Sequence, residues 1–362
     1  MSAQRLSVAV IGATGIAGQQ FLACLARHPW FKITALAGSP RSAGKPYGEG
    51  IKSPNGATGW WAEGSVPDEF TGMVIQDSER FDPGSVDLIF SAVESDVAKM
   101  LEPRYAAVTP VVSAASTFRM EADSPLLIPG VNSDHAPLVK EMAERRGWKG
   151  FVTAIPNCHT TGMAIALAPL HKAFGLKTVF MTSMAAVSGA GRSGGVLGLD
   201  VTDNVIPYIV GEEEKVPREL AKIFGVFTGG GVTSAPLAVS CTCTRVSVLE
   251  GHTEAVFADL GMPATVDEVK AAMRDFAPTE VGGLPTAPEG ARLIHVHDDP
   301  FRPQPRLDRD RGEGMVTTVG RVRKDAALSN GVKFVLVSHN TKMGAAKGAV
   351  LVAELLRSQG LI

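Results

Sequence analysis

The sequence predicts an α/β protein: a doubly wound parallel sheet first, then an α+β domain on a mixed sheet. Three features predict this. Short apolar runs alternate with helical stretches up to about residue 150. A glycine-rich turn joins the first of these strands to the first helix. Beyond Phe151 the strands grow longer and the crossings between them more polar. A parallel sheet covered by helices on both faces needs continuous apolar strands, and strand–helix alternation builds such a sheet.

Val8 to Ile11 is the first strand, and Gln19 to Arg27 reads as the helix after it. Ile33 to Ala37 is the second strand, running into G-S-P-R-S-A-G-K. Val86 to Phe90 and Val111 to Ser113 are the third and fourth, with a helix over Val97 to Leu101 between them. Phe151 to Ala154 is a strand leading to Cys158, and Met163 to Ala173 is helical. Thr178 to Val187 is a strand, followed by the loop S-G-A-G-R-S-G-G at 188–195. Val239 to Leu249 alternates like a half-buried strand, and Val266 to Phe276 is an amphipathic helix. Met315 to Arg323 and Lys333 to His339 are strands, and Gly344 to Ser358 closes the chain as a helix. Residues 40–67, rich in Gly, Pro and Ser, form a long loop of the kind that is often functional. The expected domains are 1–152, completed by the C-terminal helix 343–362, and 153–342.

Composition sets the class. The 362 residues carry 35 basic and 37 acidic side chains, a net charge of -2, and are 45% hydrophobic. No basic stripe offers a grip on nucleic acid. No apolar run reaches the roughly 18 residues that a membrane helix needs. M-S-A-Q-R runs straight into a strand rather than into a signal peptide's apolar core. The cysteines are Cys24, Cys158, Cys241 and Cys243, with no C-x-x-C pair and no zinc-site spacing. A chain this poor in cysteine suits a reducing, cytoplasmic compartment, and no metal is expected.

Gly12, Gly15 and Gly18 follow a strand and open a helix, the context in which a glycine fingerprint has meaning. Their backbone can approach a pyrophosphate, and the helix N-terminus supplies free N–H groups. A Rossmann-type dinucleotide-binding domain follows. The second strand of such a domain ordinarily ends in an acid that holds the ribose hydroxyls of NAD. Here it ends in Ser39, Arg41 and Ser42, with Lys45 nearby, groups that suit a 2′-phosphate. NADP is therefore expected.

Cys158 stands where Pro156 and Asn157 end a strand and a helix begins. A helix N-terminus favours the thiolate. A nucleophilic cysteine needs a proton partner, usually histidine. His159 adjoins it, but neighbours on a first helical turn point different ways. His252 lies just past a strand and a glycine, where a side chain can enter a cleft. For any single histidine, a structural hydrogen bond is the ordinary role.

The chain resembles the aspartate-β-semialdehyde dehydrogenase family of archaeal and fungal type over essentially its full length. The resemblance is carried by G-A-T-G-I-A-G at 12–18, G-S-P-R-S-A-G-K-P-Y-G at 38–48 and P-N-C at 156–158. It continues through S-G-A-G at 188–191, D-N-V-I-P-Y-I-V-G-E-E-E-K at 203–215 and R-V-S-V-L-E-G-H at 245–252. R-P-Q-P-R-L-D-R-D at 302–310 and H-N-T-K-M-G-A-A at 339–346 complete it. It implies that the second domain is catalytic and forms a homodimer, or dimers paired into a homotetramer. It implies phosphorylating aldehyde dehydrogenase chemistry through a thioester, with Cys158 the nucleophile and His252 the acid/base. Arg245 would hold a substrate carboxylate, Glu212 an amino group, and Lys215 and Arg119 a phosphate, with Asn157 beside them. The implied cofactor contacts are Gly12, Thr14, Gly15, Ile16, Ser39, Arg41, Ser42, Ser91, Ser188, Gly189, Gly191 and Asn340. Glu212 and Lys215 stand three apart, so on a helix they share a face.

The chain departs from that family's pattern at Ala114, usually Asn; at Ala185, usually Gln; at Gly130, usually Glu; and at Arg192–Ser193, usually Tyr-Pro. Cys158, His252, Arg245, Glu212 and Lys215 are all retained, so the covalent chemistry is expected to survive. The lost amides bear on which acyl group enters. The expected substrate pair is L-4-aspartyl phosphate and L-aspartate-4-semialdehyde. The alternative is another acyl phosphate or an acyl-CoA, as in malonyl-CoA reductases of related sequence. A non-catalytic NADP-binding protein would have no use for both Cys158 and His252.

Overall fold

The computed structural model describes residues 4–191 and 198–362. The chain packs as two compact units, one of Met1–Pro125, Ala136–Ile155 and Ala346–Ile362, the other of Leu126–His135 and Pro156–Ala345. Residues 126–135 thus pack with the second unit, and the main crossing falls after Ile155 rather than at 152.

The first unit is built on β1 (Leu6–Ile11), β2 (Phe31–Gly38), β3 (Ile75–Asp77), β4 (Leu88–Ser91), β5 (Val111–Ser113) and β6 (Val152–Ala154). All pair in parallel in the order β3-β2-β1-β4-β5-β6, a doubly wound sheet. Val8 to Ile11 and Leu88 to Ser91 are buried throughout, as strands covered on both faces must be. The connecting helices are α1 (Ile16–Leu25), α2 (Ser95–Ala106) and α3 (Leu138–Arg146). The C-terminal helix Ala346–Ser358 packs on α1, where His28 Nε2 lies 2.8 Å from Glu354 Oε1 in the interior.

The turn between β1 and α1 is possible only with glycine. Gly12 has φ +79°, and a Cβ there would stand 2.6 Å from Ala92 O. A Cβ on Gly18 would stand 2.2 Å from Gly12 O, so helix and turn touch through bare backbone. The buried Tyr47 donates its hydroxyl to Ala13 O at 2.9 Å, and Gln19 joins Thr14 O to Gly59 O. Part of the 40–67 loop is therefore a brace for the glycine turn.

The second unit holds a six-stranded mixed sheet. Its strands are β7 (Leu176–Ala185), β10 (Ala238–Arg245), β11 (His252–Leu260), β12 (Ile294–Val296), β13 (Thr317–Asp325) and β14 (Gly331–Ser338). A small hairpin, β8 (Val226–Phe227) and β9 (Val232–Thr233), stands apart from it. The order is β10-β7-β11-β14-β13-β12, with β7 parallel to β10 and antiparallel to β11. The helices are α4 (Cys158–Phe174), α5 (Glu212–Ile223) and α6 (Val266–Arg274). α4 is buried from His159 to Leu170 and covers β11, β13 and β14. Gly162 lets it approach, since a Cβ there would lie 2.7 Å from Ser338 Cβ. β11 alternates strictly, with His252, Glu254, Val256, Ala258 and Leu260 inward. On the opposite face of the sheet Phe180 is 44% exposed.

The structure corrects several sequence expectations. The strand read over Val239–Leu249 ends at Arg245, and a new strand begins at His252. β3 and α5 were not anticipated as elements. No helix among the described residues is long and apolar enough to cross a membrane.

Candidate active site

Three elements of the second unit bring the site together. Cys158 is the first residue of α4, capped by Asn157, whose side chain accepts from His159 N at 2.9 Å. His252 opens β11 after Gly251, which has φ +93°. Arg245 ends β10. Cys158 Sγ lies 3.0 Å from His252 Nε2.

The hydrogen bond on the far side of the imidazole fixes its tautomer. Ala186 N–H donates to His252 Nδ1 at 3.1 Å, so Nδ1 offers a lone pair and the neutral ring carries its hydrogen on Nε2, toward sulfur. His252 is 1% exposed. Burial, then the nearby His159, Arg245 and His339, hold it well below the usual imidazole range. The ring is thus a neutral hydrogen donor toward Cys158 Sγ.

Arg245 supplies the balancing charge. Its Nη1 donates to Ala186 O at 2.7 Å, and Nε is buried without a hydrogen-bond partner among the described residues. Burial lowers its pKa, while the charges of Cys158 and Glu212 oppose that shift. An arginine tethered by one nitrogen, with another undercommitted, is suited to a carboxylate. Gly189 passes over this pair: a Cβ there would stand 3.1 Å from both Arg245 Nη1 and His252 Cε1.

Glu212 opens α5 and is drawn inward. Its Oε2 accepts from Asn157 Nδ2 and lies 3.2 Å from His159 Nδ1, and Lys215 Nζ stands 3.7 Å from Oε1. Burial alone would raise its pKa, but His159, Lys215 and Asn157 outweigh burial and hold it below the usual carboxylate range. Glu213 Oε1 accepts from Cys243 N at 2.9 Å. E-E-E-K is therefore no solvated charge run.

Other expected residues fall as follows. Asn157 is fully engaged, with its main-chain N–H donating to Glu219 Oε2 at 2.7 Å, so it shapes the site through others. Asn340 accepts from Gly251 N and donates to Ser188 Oγ, both at 2.8 Å, bracing the turn that carries His252. Gly191, with φ +66°, closes the Ser188 turn, and Arg192 lies outside the described residues. Arg119 belongs to the first unit, where its Nη2 donates to Ala114 O at 3.1 Å. Also in that unit, Gly12, Thr14, Gly15 and Ile16 form the glycine turn, and Ser39 and Arg41 are exposed at the end of β2. Ser42 is buried against Ser39 O. The Ser91 side chain is fully buried and faces Glu102, so only its backbone is left to meet a ligand.

Sequence reasoning set His159 aside and missed Gly344. The His159 ring stacks on that of His252 at 4.3 Å and 19°. A Cβ on Gly344 would stand 2.9 Å from Cys158 Cβ. Two departures also gain a place. Ala185 pairs with Arg245 across the sheet. Gly130 has φ +87°, and a side chain there would strike Pro278, Val281 and Leu293 rather than any site residue.

Cys158, His159 and His252 place three donor atoms within 4.8 Å of one another. A metal at His252 Nε2 would need the hydrogen on Nδ1, where it would face Ala186 N–H.

Residues 7–138 match the semialdehyde dehydrogenase NAD binding domain, and residues 167–343 match the semialdehyde dehydrogenase dimerisation domain. The chain belongs to the semialdehyde dehydrogenase family. It is 45% identical to an aspartate-semialdehyde dehydrogenase of Archaeoglobus fulgidus, over 99% of this chain and 100% of that one. It is 40% identical to that of Candida albicans, over 98% of each. The solved Candida albicans aspartate-semialdehyde dehydrogenase with NADP superposes with TM-score 0.87 at 37% identity, covering 99% of this chain and 100% of that one. Aspartate-semialdehyde dehydrogenase II of Vibrio cholerae, complexed with ASA, superposes with TM-score 0.76 at 27% identity, covering 98% and 99%. This semialdehyde dehydrogenase thus shares the architecture of solved aspartate-semialdehyde dehydrogenases.

Proposed function

We infer that the protein is an NADP-dependent aspartate-semialdehyde dehydrogenase, interconverting L-4-aspartyl phosphate and L-aspartate-4-semialdehyde through a thioester on Cys158. The observation that carries this is Cys158 Sγ at a helix N-terminus, 3.0 Å from a buried histidine whose Nε2 bears hydrogen. The relatives' names and the ASA complex of the Vibrio cholerae enzyme support the substrate. Glu212, held as a carboxylate, favours a substrate with an amino group over an acyl-CoA.

The residues of the first unit fit NADP. The glycine turn leaves bare backbone at the start of α1, and Gly15, whose Cβ would meet only Gly12 O at 3.5 Å, leaves room above it. Arg41 and Ser39 are exposed where a 2′-phosphate would lie, and the Candida albicans relative was solved with NADP. When bound, the cofactor exchanges hydride with the acyl carbon.

The protein's own groups do the rest. In the reductive direction the Cys158 thiolate bonds to the acyl carbon, and phosphate departs with the electron pair of the broken C–O bond, taking from solvent the one proton the reaction consumes and leaving as hydrogen phosphate. His252 keeps its Nε2 hydrogen against whichever atom carries negative charge: sulfur in the free enzyme, the acyl oxygen in the tetrahedral states. Arg245 anchors the substrate's carboxylate, Glu212 its ammonium, and Lys215 and Arg119 the phosphate. The open face of the sheet around Phe180 and the match to the dimerisation domain support a homodimer.

The test is NADPH formation from L-aspartate-4-semialdehyde, NADP and inorganic phosphate, with Cys158→Ala alongside. Turnover that requires both phosphate and Cys158 is expected. Turnover only with coenzyme A in place of phosphate would replace this reading with an acyl-CoA reductase.

A further inference from the structure

His159 is 1% exposed and is committed on two sides. Its Nδ1 faces two acceptors, Asn157 Oδ1 and Glu212 Oε2, both at 3.2 Å, so Nδ1 carries hydrogen and donates. Its face lies on the His252 ring at 4.3 Å, and its Nε2 has no hydrogen-bond partner among the described residues. One ring therefore touches both the carboxylate and the catalytic imidazole.

The consequence for Glu212 is asymmetric. Oε2 has two donors, Asn157 Nδ2 and His159 Nδ1. Among the described residues Oε1 has only Lys215 Nζ at 3.7 Å, beyond hydrogen-bond length, from a lysine whose side chain is 42% exposed. Oε1 is the oxygen left to accept an incoming ammonium. Its place relative to sulfur is held by hydrogen bonds from Asn157 and His159, the residues on either side of Cys158.

We propose that His159 is a positioning residue that presents Glu212 Oε1 at a fixed distance from the Cys158 thiolate, and so selects aldehydes bearing an amino group. This rests on the proposed function, since it takes Glu212 as the ammonium site. A histidine that only filled space would need neither the hydrogen bond to Glu212 nor an unpaired buried nitrogen.

The test compares L-aspartate-4-semialdehyde with succinic semialdehyde, the same carbon chain without the amino group. The NADP-loaded native enzyme is set beside His159→Ala, His159→Gln and Glu212→Gln. His159→Gln keeps a donor toward Glu212 and loses the stack; His159→Ala loses both. The native preference, as a ratio of kcat/KM, is expected to fall about tenfold or more in His159→Ala and Glu212→Gln, mainly through KM of the amino substrate. His159→Gln is expected to retain most of it. A second reading needs no turnover: protection of Cys158 from iodoacetamide by L-aspartate against succinate, expected to favour L-aspartate in the native protein and His159→Gln but not in His159→Ala. A native preference left intact by His159→Ala, in folded protein, overturns the role of His159 alone. A native protein with no preference for the amino compound in either assay overturns the ammonium site itself, and His159's role with it.

Discussion

The main-chain N–H of Ala186 points at Nδ1 of His252 from 3.1 Å, and this bond decides what the histidine can do. An imidazolium would set two hydrogens against each other there, so the ring stays neutral with its hydrogen on Nε2. Replacing His252 by Ala is expected to lower kcat by about 10² to 10⁴. His252→Gln, which can still donate, is expected to retain about tenfold more activity than the Ala variant. Burial, then the nearby His159, Arg245 and His339, hold His252 well below 6.5. The kcat–pH profile, taken by stopped assay, should therefore show no histidine step near 6.5 and lose activity only at lower pH.

Gly344 and Cys158 are in backbone-to-side-chain contact. An alanine at 344 would place its Cβ 2.8 Å from Asn340 O as well as 2.9 Å from Cys158 Cβ. Gly344→Ala is expected to cost about 1–3 kcal/mol of stability in urea and to lower kcat by displacing the nucleophile. Gly189→Ala meets only the tips of Arg245 and His252 at 3.1 Å, so it should raise KM with little loss of stability.

Glu254 lies on β11 with both carboxylate oxygens buried and without hydrogen-bond partners among the described residues. Burial raises its pKa well above 4.5. The folded protein keeps this proton where the unfolded chain releases it, so stability falls as pH rises from 4.5 through the folded value. Glu254→Gln removes the titration while keeping the shape. Urea unfolding should show the variant equal to native near the unfolded carboxyl pKa. It should be more stable by about 1 kcal/mol or more at neutral pH.

Arg41 stands exposed beyond β2 and beside Ser39, with no acid at that strand's end. Arg41→Ala is expected to raise KM for NADP by about 10- to 100-fold and to leave KM for NAD nearly unchanged. Equal effects on both cofactors would remove Arg41 from the 2′-phosphate site.

The glycine turn was legible because steric necessity is written in the residue type: Gly12 and Gly18 have no substitute where backbone meets backbone. Cys158 was legible for a similar reason, as Asn157 is a capping residue at a strand–helix junction. β11 was harder. Its inward positions include His252 and Glu254, so alternation by polarity fails although alternation by burial is strict. His159 was dismissed on the geometry of a helix's first turn. Glu212, fifty-three positions away in the chain, draws its ring back beside His252, and local periodicity carries no trace of such a tertiary bond. Gly130 read only as a departure from the family pattern. It answers instead to Pro278 and Val281, distant in sequence and packed against it.

The most direct test of the account is the covalent state of Cys158. The NADP-loaded enzyme is mixed with L-aspartate-4-semialdehyde in the absence of phosphate, quenched in acid and examined by peptide mass spectrometry. The account predicts an acyl adduct on the Cys158 peptide, formed with one equivalent of NADPH and discharged when phosphate is added. Rapid turnover on phosphate addition without any adduct at Cys158, or with the adduct on another residue, would contradict it.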